Sequence, residues 1–151
     1  DRYIPIGGSE DKKISLNYQE TREYLEIMQR ERAKLQQKKN NKTRISMYRA
    51  LQFQMTNDFA YGCTAGDTLL TVMENGDLVP CRRMPIVVGN LFQNDMSYLY
   101  FNSPLLKSLR EDKIPNDCKK CENSETCRGG LKCLTYALYK DLNHKDVGCN
   151  L

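Results

Sequence analysis

The chain has 151 residues, 40% hydrophobic and 28% charged, with 23 basic against 19 acidic side chains for a formal net charge of +4. That composition suits one folded domain or two small ones and excludes a disordered or low-complexity chain. No apolar run approaches the ~18 residues of a membrane span. No charged-then-apolar order of the signal-peptide kind opens the sequence, so a cytoplasmic protein without membrane contact is expected.

The first residues, DRYIPIG, read as a strand over Arg2 to Ile6, ended by Gly7-Gly8. There is no initial Met, so the chain reads as a piece of a longer protein that begins inside a strand. From Tyr18 to Gln37 the apolar residues Tyr24, Leu25, Met28 and Leu35 fall near helical spacing, with Asn17 as the N-cap. The basic run Arg30 to Arg44 closes this helix. It lacks interleaved aromatics and phosphate-loop glycines, so it reads as a solvated helix end and loop rather than a nucleic-acid surface.

The next run, RISMYRALQFQM, alternates at Ile45, Met47, Leu51, Phe53 and Met55, with Arg49 the exception, and favours a strand while leaving a helix open. In TLLTVMENGDLVPC two β-prone runs flank Glu74-Asn75-Gly76-Asp77, the mark of a hairpin that returns Cys81 toward Cys63. Asp95 caps a short helix over Met96 to Phe101. Ser103-Pro104 starts another, with Leu105, Leu106 and Leu109 on its inner face and Ile114 to Asp117 at its end. LTYALYKDL predicts a last helix to about Leu142. Together these elements predict an α+β chain, a small β-hairpin plus helices wrapped around whatever the cysteines hold.

Seven cysteines dominate the second half: Cys63, Cys81, Cys118, Cys121, Cys127, Cys133 and Cys149. An odd count without a signal peptide points to metal ligation in a reducing compartment rather than to disulfides. The Cys118-x-x-Cys121 step lets two sulfurs reach one metal centre. A zinc ribbon would show two such pairs. One pair with later partners at gaps of five better suits a cuboidal iron–sulfur cluster, whose irons need thiolates from several directions. Gly129-Gly130 allow backbone N–H groups to approach sulfur, and Arg82, Arg83, Arg128 and Lys132 would offset cluster charge. Surface charge is the plainer reading of those cations. The single histidine, His144, lies in polar surroundings and reads as exposed and structural.

The strings CTAG, ENGDLVPC, VGNLF, FNSPLLKSLRE, CKKC and CRGGLKC, with TYAL and a final cysteine, resemble the C-terminal SPASM domain of radical S-adenosylmethionine (SAM) enzymes. The resemblance runs from Cys63 to Cys149. DRYIPIG and its helix resemble the end of the partial (β/α) barrel that precedes such a domain. The resemblance implies a barrel remnant and linker over residues 1–60 and a SPASM domain over 61–151. It also implies two auxiliary [4Fe–4S] clusters.

By matching positions, Cys118, Cys121, Cys127 and Cys149 are the expected ligands of auxiliary cluster II. Cys63, Cys81 and Cys133 are those expected for auxiliary cluster I. The family often places its third inner cysteine after three residues from the equivalent of Cys127, where this chain has Leu131. Cys133 is assigned to the inner cluster by default. No fourth inner cysteine precedes Cys63, which leaves an open iron, a smaller cluster, or a non-cysteine ligand such as Asp58 or Asp67.

The enzymes resembled bind S-adenosylmethionine on a third [4Fe–4S] cluster held by Cys-x-x-x-Cys-x-x-Cys. No such motif occurs in these 151 residues, so by themselves they would not generate the radical. The implied partners are the chain's own radical SAM barrel, a peptide or protein substrate as in sulfatase maturation or pyrroloquinoline quinone (PQQ) synthesis, and a reductant such as ferredoxin or flavodoxin. A zinc-bound structural module is the alternative reading, and preparation in air could load zinc into sites meant for clusters.

Overall fold

The computed structural model describes residues 2–7, 14–56, 60–111 and 114–151. The chain forms helix α1 (Tyr18–Gln37), the single turn α2 (Phe53–Thr56), strands β1 (Thr71–Val72), β2 (Asp77–Val79) and β3 (Gly89–Asn90), then α3 (Met96–Asn102) and α4 (Pro104–Glu111). A 3₁₀ turn at Asn116–Cys118, the short α5 (Ser124–Cys127) and α6 (Lys132–Tyr139) complete it. Helices and a small antiparallel sheet make this an α+β structure.

Helix α1 starts and stops where its sequence dictates. Asn17 Oδ1 accepts from the Glu20 amide at 3.0 Å, and Glu20 Oε2 accepts from the Asn17 amide at 2.8 Å. This reciprocal box satisfies two N–H groups that a helix start leaves orphaned. Leu25 and Thr21 are its buried residues, one turn apart on a single face.

Neither strand expected before residue 60 forms. Residues 2–6 are extended but join no strand ladder among the described residues, and a tight turn from the Ile6 amide to the Ile4 carbonyl at 2.9 Å interrupts them. Pro5 also has no N–H for a ladder. Side chains hold the segment instead, with Ile4 in the main core and Arg2 paired to Asp146. Gly8 lies outside the described residues. The run 44–48 is likewise extended without a ladder. It ends where Gln52 folds back: Gln52 Oε1 accepts from the Arg49 amide at 2.7 Å, and the Gln52 amide donates to the Arg49 carbonyl at 3.0 Å. Leu51 takes φ +68° in this turn, which swings the chain into α2 and breaks the alternation.

The hairpin forms with β1 and β2 antiparallel, Thr71 opposite Val79 and Val72 opposite Leu78. Gly76 turns the chain at φ +82°, a conformation glycine reaches without a Cβ penalty. Asn75 and Asp77 bond each other across the turn, and Asn90 Nδ2 donates to both the Asn75 carbonyl and Asp77 Oδ1. Those bonds carry β3 against β2, with Leu78 opposite Gly89. The third strand was not expected from periodicity.

Helices α3 and α4 form as expected. Asp95 Oδ1 caps α3 by accepting from the Ser97 and Tyr98 amides, and Leu106 and Leu109 of α4 are buried. Helix α6 ends at Tyr139, three residues before the expected Leu142, because Lys140 adopts φ +56° and closes the helix in a left-handed cap.

Two apolar clusters hold the molecule. The larger gathers Ile4, Ala65, Met84, Leu106, Leu109, Cys133, Leu134 and Ala137. The smaller gathers Leu25, Leu51 and Cys127, with Phe53, Met55 and Cys149 against it. Each cluster joins residues from either side of residue 60, so the first segment walls the cysteine-bearing part. No described helix is long and apolar enough to cross a membrane.

Candidate metal centre

All seven cysteines are free thiols, and the fold sorts them into two cavities. Cys63, Cys81 and Cys133 line the inner one, of about 330 Å³. Cys118, Cys121, Cys127 and Cys149 line the outer one, of about 20 Å³.

The inner set is assembled by backbone bonds around the sheet. The Gly66 amide donates to the Leu69 carbonyl at 2.9 Å and to the Pro80 carbonyl at 3.2 Å. One N–H thus ties the loop after Cys63 to the residue before Cys81. The Met84 amide closes the turn after Cys81 by donating to the Cys81 carbonyl at 2.8 Å. Cys133 arrives from the first turn of α6. Burial pushes its thiol up to about 12, and the neighbouring Cys63 and Cys81 add to the shift.

The outer set is built from successive turns. Amide donations run from Cys118 to Pro115, Cys121 to Cys118, Ser124 to Cys121 and Cys127 to Asn123, at 2.8 to 3.0 Å. They coil the Cys118–Cys127 segment so that its three cysteines line one cavity. Burial pushes Cys127 up to about 11, while the Gly130 amide pulls the other way. Cys118 is also raised, first by burial and then by Cys149 and Cys121.

Asp146 brings the late cysteine back. It is fully buried. Its carboxylate accepts Arg2 Nη1 at 2.6 Å, Arg2 Nη2, the Leu131 amide at 3.0 Å and the Gly148 amide at 2.9 Å. Its own amide donates to the Gly129 carbonyl, and its carbonyl accepts from the Cys149 amide. Gly130 permits this docking. It holds φ +78°, and a Cβ there would lie 2.7 Å from the Asp146 Cβ. Arg2 lines the inner cavity and Asp146 the outer one, so their ion pair stands in the partition between them. Sequence reading missed both residues, because neither carries a motif and they stand 144 positions apart.

The charge around the thiols is cationic. Arg2, Arg49, Arg82 and Arg83 line the inner cavity, and among the described residues no Asp, Glu or His does. Lys132 is buried, and its ammonium is pulled down by burial and back up by Cys63 and Cys118, one thiol from each set. Of the four cations singled out beforehand, Lys132, Arg82 and Arg83 lie near thiols. Arg128 lines neither cavity and donates to the Glu125 carbonyl at 3.1 Å.

Asp67 does not line the inner cavity, and Asp58 lies outside the described residues. Leu131 does line it, two residues from Cys133. His144 is exposed between Asp117 and Asp141, each 3.4 Å away, and lines neither cavity.

The donor sets suit iron–sulfur clusters, which take soft thiolate ligands. The inner cavity has three thiols, surrounding cations, and the buried Thr21 hydroxyl, which has no hydrogen-bond partner. The outer set has four thiols but room for about one water. A cluster there requires this cavity to widen. Among the described residues, no three His, Cys, Asp or Glu side chains form a group that could hold a single metal ion.

Residues 63–122 match the family model of SPASM, an iron–sulfur cluster-binding domain. The match covers Cys63, Cys81, Cys118 and Cys121, and Cys127, Cys133 and Cys149 follow it in the chain. Over those residues the chain is similar to an iron–sulfur cluster-binding domain, set here in an α+β fold. No solved structure matches the chain.

Proposed function

We propose that this chain works within a radical SAM maturase, where it holds two auxiliary [4Fe–4S] clusters that support electron transfer or substrate binding during modification of a peptide or protein. The observation that carries this reading is the partition of the seven thiols into a set of three and a set of four around separate cavities. In this reading Cys118, Cys121, Cys127 and Cys149 hold the outer cluster, and Cys63, Cys81 and Cys133 hold the inner one.

When bound, the clusters supply one-electron redox chemistry. The protein's part is to hold and tune them. Lys132 and the inner-cavity arginines favour the more negative, reduced charge state and so raise the potential. The Asp146 scaffold fixes Cys149 relative to Leu131. Three thiols leave one iron of a cubane inner cluster to a further ligand, which in this reading is a substrate atom, solvent or Asp58. Described residues before position 60 line part of both cavities, among them Leu25 at the inner and Phe53 at the outer, and in this reading residues 1–60 are the end of a radical SAM partial barrel with its linker. A ferredoxin or flavodoxin is the proposed electron donor, and a PQQ-like peptide maturation fits the same chemistry.

Spectra of single-site variants after anaerobic reconstitution test the two-site reading. Cys149→Ala should release the outer cluster and leave the inner cluster's electron paramagnetic resonance signal, and Cys63→Ala should do the reverse. Loss of both signals in either variant argues against separate sites.

A further inference from the structure

The basic run that closes α1 has a second side. A groove of about 850 Å³ lies between the C-terminal half of α1 and residues 41–48. Arg32, Lys38, Lys42 and Arg44 line it, and among the described residues no acidic one does. Its far wall is the extended run 44–48. Arg44, Ser46 and Tyr48 are exposed, Ile45 is half-buried and Met47 is buried. That period of two belongs to a strand with one face on a core. Yet among the described residues no hydrogen bond engages the backbone of residues 44–48. The sequence specifies a strand, and the fold leaves its edge open.

An open edge of alternating residues is a template for another strand. Cations along such an edge discourage indiscriminate pairing and favour a segment carrying the opposite charge. Among the described residues Tyr48 is the single aromatic lining the groove, and one ring makes a poor stacking platform for single-stranded nucleic acid. The next residues, Arg49 and Ala50, line the inner cavity. A chain lying along 44–48 therefore runs toward the three-thiol site.

We propose that residues 44–48 accept an extended acidic peptide as an added β-strand, its backbone pairing with this edge and its carboxylates facing Lys38, Lys42 and Arg44. This deepens the maturase reading by naming the chemistry of the peptide, and rests on that reading only for the peptide being substrate.

The test uses the full chain and a labelled peptide of about ten residues alternating Glu and Thr, long enough to cover one strand edge. Fluorescence anisotropy should show it binding at least about tenfold more tightly than its Lys–Thr counterpart, and less tightly as salt rises. Hydrogen exchange of the 44–48 amides should slow when it binds, and N-methylation of alternate peptide amides should abolish binding. Lys42→Glu with Arg44→Glu should weaken binding by about tenfold or more while leaving iron content unchanged. Equal binding of both peptides, binding without protection of 44–48, or tighter binding of single-stranded DNA overturns the proposal. Iron counted on the same samples separates the two claims: absent peptide binding with intact iron sinks this inference alone, and absent iron with intact peptide binding sinks only the cluster reading.

Discussion

Asp146→Ala removes a fully buried carboxylate that accepts from Arg2, the Leu131 amide and the Gly148 amide. Arg2 is itself 7% exposed, so its guanidinium would stay buried without its partner. Breaking one side of a buried ion pair costs about 3–5 kcal/mol. Each amide left unsatisfied adds about 1–3 kcal/mol, less where water can enter. These losses share one site and do not add, so about 4–6 kcal/mol is expected. That is a large part of the ~5–15 kcal/mol that holds a domain of this size. The assay is urea unfolding of the metal-free, reduced chain, with Asp146→Asn as the shape-preserving control. Asn keeps an acceptor for one amide and should lose about half as much, roughly 2–3 kcal/mol. Hydrogen exchange should quicken at residues 129–131 and 146–149 in both variants. An Asp146→Ala chain within about 1 kcal/mol of wild type would refute the reasoning, because that is the range of an exposed pair.

Other perturbations separate scaffold from ligands. Cys133→Ala should lose the inner cluster's signal, and adding Leu131→Cys should restore it, since both positions line the same cavity; failure to restore would show that residue 131 does not point its side chain at the cluster. Gly130→Ala, forced to keep φ +78° against Asp146, should cost about 1–3 kcal/mol in the same unfolding assay. The metal-free chain should weaken in alkali: burial holds Cys127 up to about 11 and Cys133 up to about 12, while unfolded thiols ionise near the ordinary value of 9.0. The stabilisation from protonated buried thiols is whole below about 9 and is lost as pH rises toward 12, so the urea midpoint should fall between pH 8 and pH 10. An unchanged midpoint counts against their burial. For the same reason Cys133 and Cys127 should be the last thiols alkylated at pH 8, read by mass spectrometry.

Local chemistry made much of this fold legible. Asn17, Asp95 and Ser103-Pro104 each announce a helix start, and each helix begins there. Asn75-Gly76 announces the hairpin. Two strand readings failed for a different reason. The runs 2–6 and 44–48 have strand-like sequence, but a ladder is a tertiary event and neither run joins one among the described residues. Leu51 at φ +68° could not be foreseen, because a bulky side chain in that region is held by its surroundings and not by its own preference. At the candidate site the cysteines were legible by spacing. The partition that separates them was not, since Arg2 and Asp146 meet only after the chain has folded. Which side chains line the inner cavity is likewise a result of packing, because Asp67 lies close in sequence to Cys63 and yet does not line it.

The central claim is that the thiols hold two iron–sulfur clusters and not single metal ions. Anaerobic reconstitution of the whole chain followed by iron and acid-labile sulfide counting, with Mössbauer spectra on the same sample, addresses it directly. The account predicts about eight iron and eight sulfide per chain, four of each per cluster, with spectra of two cubane species. A chain that retains at most one metal ion and no sulfide contradicts it.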